Sequence, residues 1–244
     1  MATTQKTALI TGANKGIGLE TARQLALQGY YSYLGCRDKE RAEAAKAGLQ
    51  AAGIDNVDYL LFDVTDAASL AAAAQELERR AGSLDILVNN AGISGIMPQP
   101  SSTVSMDNMR QVFETNFFGV VQTTQYFLPL LHKSAQPRIV NVSSDLGSLT
   151  LNHDPSWPFY DLKLAAYNAS KTALNAYTVT LAHELKQTAF KVNAVNPGFT
   201  ATDMNQHQGI IGVEEAAAVV IRYALLDAEG PTGLFFSDYG ATPW

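Results

Sequence analysis

Seven short apolar runs recur along the chain: Thr7–Ile10, Tyr31–Gly35, Val57–Phe62, Leu84–Asn89, Arg138–Ser143, Phe190–Val195 and Gly233–Phe236. Each is rich in β-branched or aromatic residues and stops at Gly, Asp, Asn or Ser, the signature of a buried strand. Between them lie longer, Ala-rich stretches with helical spacing: 17–28, 39–52, 67–81, 106–131, 165–187 and 213–226. Gly29, Gly53 and Gly82 are placed to close the first three, and Asp38 and Asp66 to cap the second and third. Alternation of this kind predicts an α/β chain. The expected architecture is one domain over residues 1–244, a doubly wound, seven-stranded parallel sheet with helices on both faces. The pattern fails only between Gly147 and Leu164, where Pro155, Trp157 and Pro158 interrupt it.

Composition narrows the partners. A net charge of −6 with no Lys/Arg run argues against nucleic acid. One cysteine, Cys36, fits a reducing compartment. No signal-peptide pattern or membrane-length apolar stretch is present, so a cytoplasmic protein with a small-molecule partner is expected.

The unusual polar and glycine residues cluster just after strands: Thr11-Gly12, Arg37, Asp63, Asn90, Ser144 and Asn196-Pro197. In a parallel sheet these carboxyl ends share one edge, where ligands bind. The first of them is Thr11-Gly-Ala-Asn-Lys-Gly-Ile-Gly18, entering a helix. Gly12 permits the sharp turn. Gly16 and Gly18 let phosphates and sheet approach the helix start, whose N–H groups suit a pyrophosphate. A Walker loop would end in Gly-Lys-Ser/Thr, which is missing. On a later helix, Tyr167-Asn-Ala-Ser-Lys171 puts a phenol and an ammonium one turn apart on one face. No other tyrosine has a lysine four residues on. A phenol has a pKa of about 10 and is a poor acid–base group near neutrality. A neighbouring ammonium shifts it toward the working range.

The TGxxxGxG loop, Asn89-Asn-Ala-Gly92, the Tyr–Lys pair and Pro197-Gly198 followed by Thr202 resemble the short-chain dehydrogenases/reductases over essentially the whole chain. The resemblance implies a Rossmann fold and a nicotinamide cofactor held by Gly12, Asn14, Lys15, Gly16, Ile17 and Gly18. It adds Asp63 and Val64 at the adenine, and Asn90, Ala91 and Gly92 on the adenosine side. Pro197, Gly198 and Thr202 would clamp the carboxamide. Cys36 stands where NAD-preferring relatives place an acid; with Arg37 and Lys15 positive, NADPH is the expected cofactor. Catalysis falls to the tetrad Asn116, Ser144, Tyr167 and Lys171, with Tyr167 and Lys171 also touching the cofactor.

The implied activity is NADPH-dependent reduction of a ketone or aldehyde, as in the carbonyl-reductase branch. Two alternatives stay open: a non-catalytic NADPH-binding regulator, and an alcohol dehydrogenase working in the oxidising direction. Leu149–Leu164 is an insertion between Ser144 and Tyr167, and in the monomeric carbonyl-reductase branch such an insertion covers an assembly face. A monomer is therefore expected. The insertion's His153 and Asp154 read as a solvated pair, with no metal expected, and its Trp157 and Phe159 as either pocket wall or plug. The segment 204–212, where the resemblance places a substrate lid, is short and polar, which suggests an open pocket, with Ile93, Ile96 and Met97 as wall candidates.

Overall fold

A computed structural model describes residues 5–244. Strand β1 (Thr7–Thr11) shows why a three-layer fold forms. Ala8 and Ile10 point into one core and Leu9 into the other, each without exposure. Side chains alternate faces along a strand, so a strand apolar on both faces must be covered on both. Strands β2 (Tyr31–Cys36), β3 (Val57–Leu61), β4 (Ile86–Asn89), β5 (Arg138–Val142) and β6 (Lys191–Val195) follow. Helices α1 (Gly16–Leu27), α2 (Lys39–Ala51) and α8 (Val213–Ala224) fill one core through Leu25, Leu49 and Val220. Helices α3 (Ala67–Ala81), α5 (Gly119–Leu131) and α7 (Ala165–Glu184) fill the other through Leu77, Phe127 and Leu181.

The sheet order is β3-β2-β1-β4-β5-β6-β7-β8. It differs from the expected seven parallel strands by one element. After β7 (Phe235–Ser237) the chain turns back at Asp238–Tyr239, and β8 (Gly240–Ala241) pairs antiparallel to it. Two residues cannot display a period, so the sequence pattern could not reveal this strand. Order reverses between β1 and β4, the switch point where such sheets bind ligands.

Two helix starts are built as their sequences suggest. Asp38 accepts from Arg41 N and Asp66 from Ala68 N. Gly29, Gly53 and Gly82 all adopt positive φ at the helix ends. The expected single helix over 106–131 is instead α4 (Met106–Phe113), a π-helical turn at Glu114–Phe118, and α5.

Candidate active site

The glycine loop is fixed by its neighbours at the switch point. Gly12, at φ +65°, donates its N–H to Gly35 O at 2.8 Å. Thr11 Oγ1 accepts from the N–H groups of Asn90 and Ala91, both at 2.9 Å, and Asn90 Nδ2 donates to Thr11 O. A Cβ on Gly18 would stand 2.5 Å from Asn90 Nδ2 and 2.7 Å from Gly12 O, so α1 can seat here only with glycine. Gly16 is also left-handed, but a Cβ there would meet nothing nearer than Thr202 Cγ2 at 3.8 Å. Lys15 caps α1 with no side-chain bond, leaving the first-turn N–H groups facing the groove.

The positive charges expected to receive a phosphate are present but engaged. Lys15 pairs with Asp203, which also meets His207 Nε2 at 2.9 Å. The Lys15 hydrogen bond pulls the Asp203 carboxyl below its usual range. Arg37 stands 3.8 Å from Asp63, an exposed contact worth well under about 1 kcal/mol. Asp63 spends its other oxygen on Thr65 N, and Val64 packs against Gly119. Arg41, which the motifs did not single out, lines the same groove with Asn14, Lys15 and Asp203. Burial drives the Cys36 thiol up to about 12, so this strand end holds a neutral group where an acid would repel phosphate.

The second half of the site comes from a polar register between β5 and α7. Thr178, Asn175, Lys171 and Tyr167 climb the inner face of α7. Thr178 Oγ1 accepts from Asn141 Nδ2 at 2.9 Å, and Asn175 Oδ1 from Ser143 Oγ at 2.6 Å. Lys171 Nζ donates to Val142 O at 2.8 Å. At the top, Ser144 caps the 3₁₀ turn Asp145–Gly147, which packs on Lys171, and its Oγ accepts from Leu146 N at 3.2 Å. Burial raises the Tyr167 phenol above its ordinary pKa, and the Ser144 hydrogen bond opposes that rise. Burial pulls the Lys171 ammonium down to about 8. Its Nζ lies 5.8 Å from the centre of the Tyr167 ring.

Asn116 sits in the π-helical turn with no exposure. Such turns often mark functional positions because they break the regular ladder. Its amide is committed: Oδ1 accepts from Ile93 N at 2.8 Å, and Nδ2 donates to Ile93 O and Ser170 Oγ. A Cβ on Gly92 would lie 3.3 Å from Asn116 Oδ1 and 3.7 Å from Lys171 Nζ, so the three residues converge. The start of α7 has a cap the sequence did not suggest. Leu164 offers no capping side chain, and buried Gln99 supplies one from another loop. Its Oε1 accepts from Ala166 N and Tyr167 N, both at 3.1 Å.

A short chain dehydrogenase family model matches residues 6–209. This chain belongs to that family. It is 36% identical to short-chain dehydrogenase/reductase 1 of Saponaria officinalis, over 97% of this chain and 95% of that one. The structure of salutaridine reductase from Papaver somniferum superposes with a TM-score of 0.84 at 31% identity, covering 96% of this chain and all of that one (100%). An NADPH-bound carbonyl reductase from chicken fatty liver gives 0.85 at 27% identity, covering 98% and 99%.

Within this short-chain dehydrogenase, the insertion meets the loop after β6. The insertion holds α6 (Leu149–His153) and turns, in which Asp154 caps Ser156. Thr150 donates twice to Trp244 O, and Trp244 stacks on Phe235, so the final tryptophan is docked. Trp157 meets Phe159 edge-on, and Phe159 meets Phe199 at 5.9 Å. These rings bridge the insertion to the loop after β6. Ile96 and Met97 are exposed, while Ile93 is half-buried. The lid is tied at its base, where Thr200 and Ile211 form a bridge and Gly209 comes too close to Thr200 and Ala201 for any Cβ. No helix among the described residues is long and apolar enough to cross a membrane.

Proposed function

We propose that this protein reduces a ketone or aldehyde to an alcohol at the expense of NADPH, with Tyr167 as proton donor. The reading treats residues 1–244 as one dinucleotide-binding and catalytic domain. The observation that carries it is the buried Lys171 one turn from Tyr167, its Nζ bonded to Val142 O and 5.8 Å from the centre of the phenol ring.

The residues fit a dinucleotide. A Cβ on left-handed Gly16 would meet only Thr202 Cγ2, at 3.8 Å; Lys15 and Arg41 line the groove, and Arg37 stands just after β2 beside Asp63, where a 2′-phosphate belongs. Lys171 is a buried cation that makes no ion pair among the described residues, which suits an ammonium waiting for a ribose hydroxyl. A bound carbonyl reductase among the structural relatives carries NADPH, which supports the same cofactor here. When bound, NADPH supplies the hydride for the carbonyl carbon.

The chain's own residues do the rest. Ser144 Oγ directs the substrate oxygen toward Tyr167 and stabilises charge as it develops there. Tyr167 OH gives its proton to that oxygen. Lys171 lowers the phenol's pKa electrostatically once the pair is enclosed. Asn116 holds Ile93 and Ser170, and through them the walls of the cleft, leaving its backbone to any water that reprotonates Lys171. Asp63, Val64, Asn90, Ala91, Gly92, Pro197, Gly198 and Thr202 are proposed as the cofactor's remaining contacts.

Disappearance of NADPH absorbance with aldehydes, ketones, diketones and quinones tests the reading. Silence across that panel, with NADPH binding established separately, would transfer support to the nucleotide-binding regulator. Arg37→Asp is expected to cut kcat/KM for NADPH by about ten- to a hundredfold and to spare NADH, because it trades a phosphate fork for a repelling charge. Equal efficiency of the wild type with both cofactors would overturn the choice of NADPH. A monomer and a cytoplasmic location complete the proposal. Light scattering is expected to give the mass of one chain, and a tetramer refutes that part.

A further inference from the structure

The catalytic serine rides on a short 3₁₀ turn, Asp145–Gly147, clamped from two sides. On the helix side, Gly147 lies so close to α7 that a Cβ would stand 2.8 Å from Lys171 backbone carbon. Its carbonyl accepts from Thr172 Oγ1 at 2.9 Å. On the other side, Asp145 reaches the C-terminal hairpin. Its Oδ1 accepts from Ser237 Oγ and its Oδ2 from Tyr239 OH, both at 2.9 Å. The Asn196 side chain reaches it through Ser237. Asn196 in turn accepts from Gly198 N and donates to Ser237. One carboxylate thus joins the serine turn, the Pro197-Gly198 loop and the β7–β8 hairpin.

The choice of a carboxylate here is informative. Asp145 makes no ion pair among the described residues, and Asp238 stands nearby as a like charge. Burial pushes its pKa above the ordinary value, while the Ser237 and Tyr239 hydroxyls pull it back. A neutral side chain would sit there at lower solvation cost. What only a carboxylate offers is two oxygens that accept and never donate. Ser237 gives its one hydrogen to Asp145, so Thr242 Oγ1 at 2.7 Å donates to Ser237, and the hydrogens run in one direction.

We propose that Asp145 is a positioning residue for the reduction: its carboxylate holds the serine turn against the hairpin so that Ser144 Oγ faces the Tyr167 hydroxyl. The proposal rests on the reading of Ser144 and Tyr167 given above. Protonation of Asp145 adds a hydrogen, so Ser237 or Tyr239 must turn its own hydrogen away and accept instead, which breaks the one-directional chain and loosens the clamp. Activity then falls on the acid side. The titratable groups on the surrounding elements are Tyr239 and Asp238 of the hairpin, Tyr167 and Lys171 of α7, and His153 at the end of α6.

The test uses Asp145→Asn, which keeps the shape, beside Asp145→Ala and Tyr239→Phe. Asp145→Asn is expected to lower kcat about tenfold with KM for NADPH within about twofold, and to remove the acid limb assigned to Asp145. A second readout needs no turnover. Ultraviolet titration of the Tyr167 phenol, obtained as the difference from Tyr167→Phe, should move upward in the Asp145 variants, because the Ser144 hydrogen bond that lowers it is lost. Unchanged kcat and an unmoved phenol titration in folded Asp145→Asn would overturn the proposal. A moved titration in a protein that reduces nothing would retain the clamp and reject the reaction.

Discussion

Tyr167→Phe is expected to lower kcat about a thousandfold while NADPH binds within about twofold of wild type. The substitution removes one oxygen from a half-buried ring and leaves α7 and its Gln99 cap untouched. Lys171 keeps its bond to Val142 O, so the side of the cleft proposed for the ribose is preserved. What disappears is the proton that must reach the substrate oxygen as hydride arrives. Positioned acid–base groups contribute about 10²–10⁴-fold, which sets the size of the loss. The direction of the phenol's shift adds a pH signature. Burial raises the Tyr167 pKa, so the donor is protonated at neutrality, the state that reduction needs. Wild-type reduction should therefore fade on the alkaline side, as the phenol ionises. Near-wild-type turnover by the variant would remove Tyr167 from the mechanism.

The legible and illegible parts of this site divide by sequence distance. Tyr167 and Lys171 could be paired from the sequence because four residues return to one helix face. The glycine loop could be placed because Gly12, Gly16 and Gly18 sit together between a strand and a helix. Contacts between distant segments left no such trace. Gln99 caps a helix 67 residues away, and Tyr239 bonds Asp145 across 94. Lys15 meets Asp203 across 188 residues, so a charge that looked free for phosphate turns out to be shared. Trp157 and Phe159 could be read as wall or plug, and only the third ring, Phe199, reveals that they bridge to the lid loop. The π-helical turn at Asn116 has no distinguishing composition, since Glu-Thr-Asn-Phe-Phe would sit as readily in a continuous helix. Local pattern specified most of the elements and which polar residues share a helix face or a turn. Tertiary packing decided how each functional group is held.

Lys171→Met is expected to separate activity from stability. The methionine fills a comparable volume on the inner face of α7, but it leaves Tyr167 without a neighbouring ammonium and removes the donor proposed for the cofactor ribose. kcat/KM should fall by about two to three orders of magnitude. Stability should move the other way or not at all. Lys171 is only 5% exposed, and burial draws its pKa from 10.5 down to about 8. That depression corresponds to a penalty on the charged form on the order of 3 kcal/mol. Against it stands the charge-assisted bond to Val142 O, whose loss costs about 1.5–3 kcal/mol. The sign with pH follows from the depressed value. Below about 8 both folded and unfolded wild type carry the proton, and the folded state bears the whole penalty. As pH rises from about 8 toward 10.5, the folded state sheds the proton first and wild type gains stability relative to the variant. Melting without cofactor should thus find Lys171→Met at least as stable at neutral pH, with the gap closing in alkali. A drop of several degrees at neutral pH would instead make Lys171 a structural residue. A variant inactive yet no less stable would place it among residues kept for chemistry at the expense of the fold.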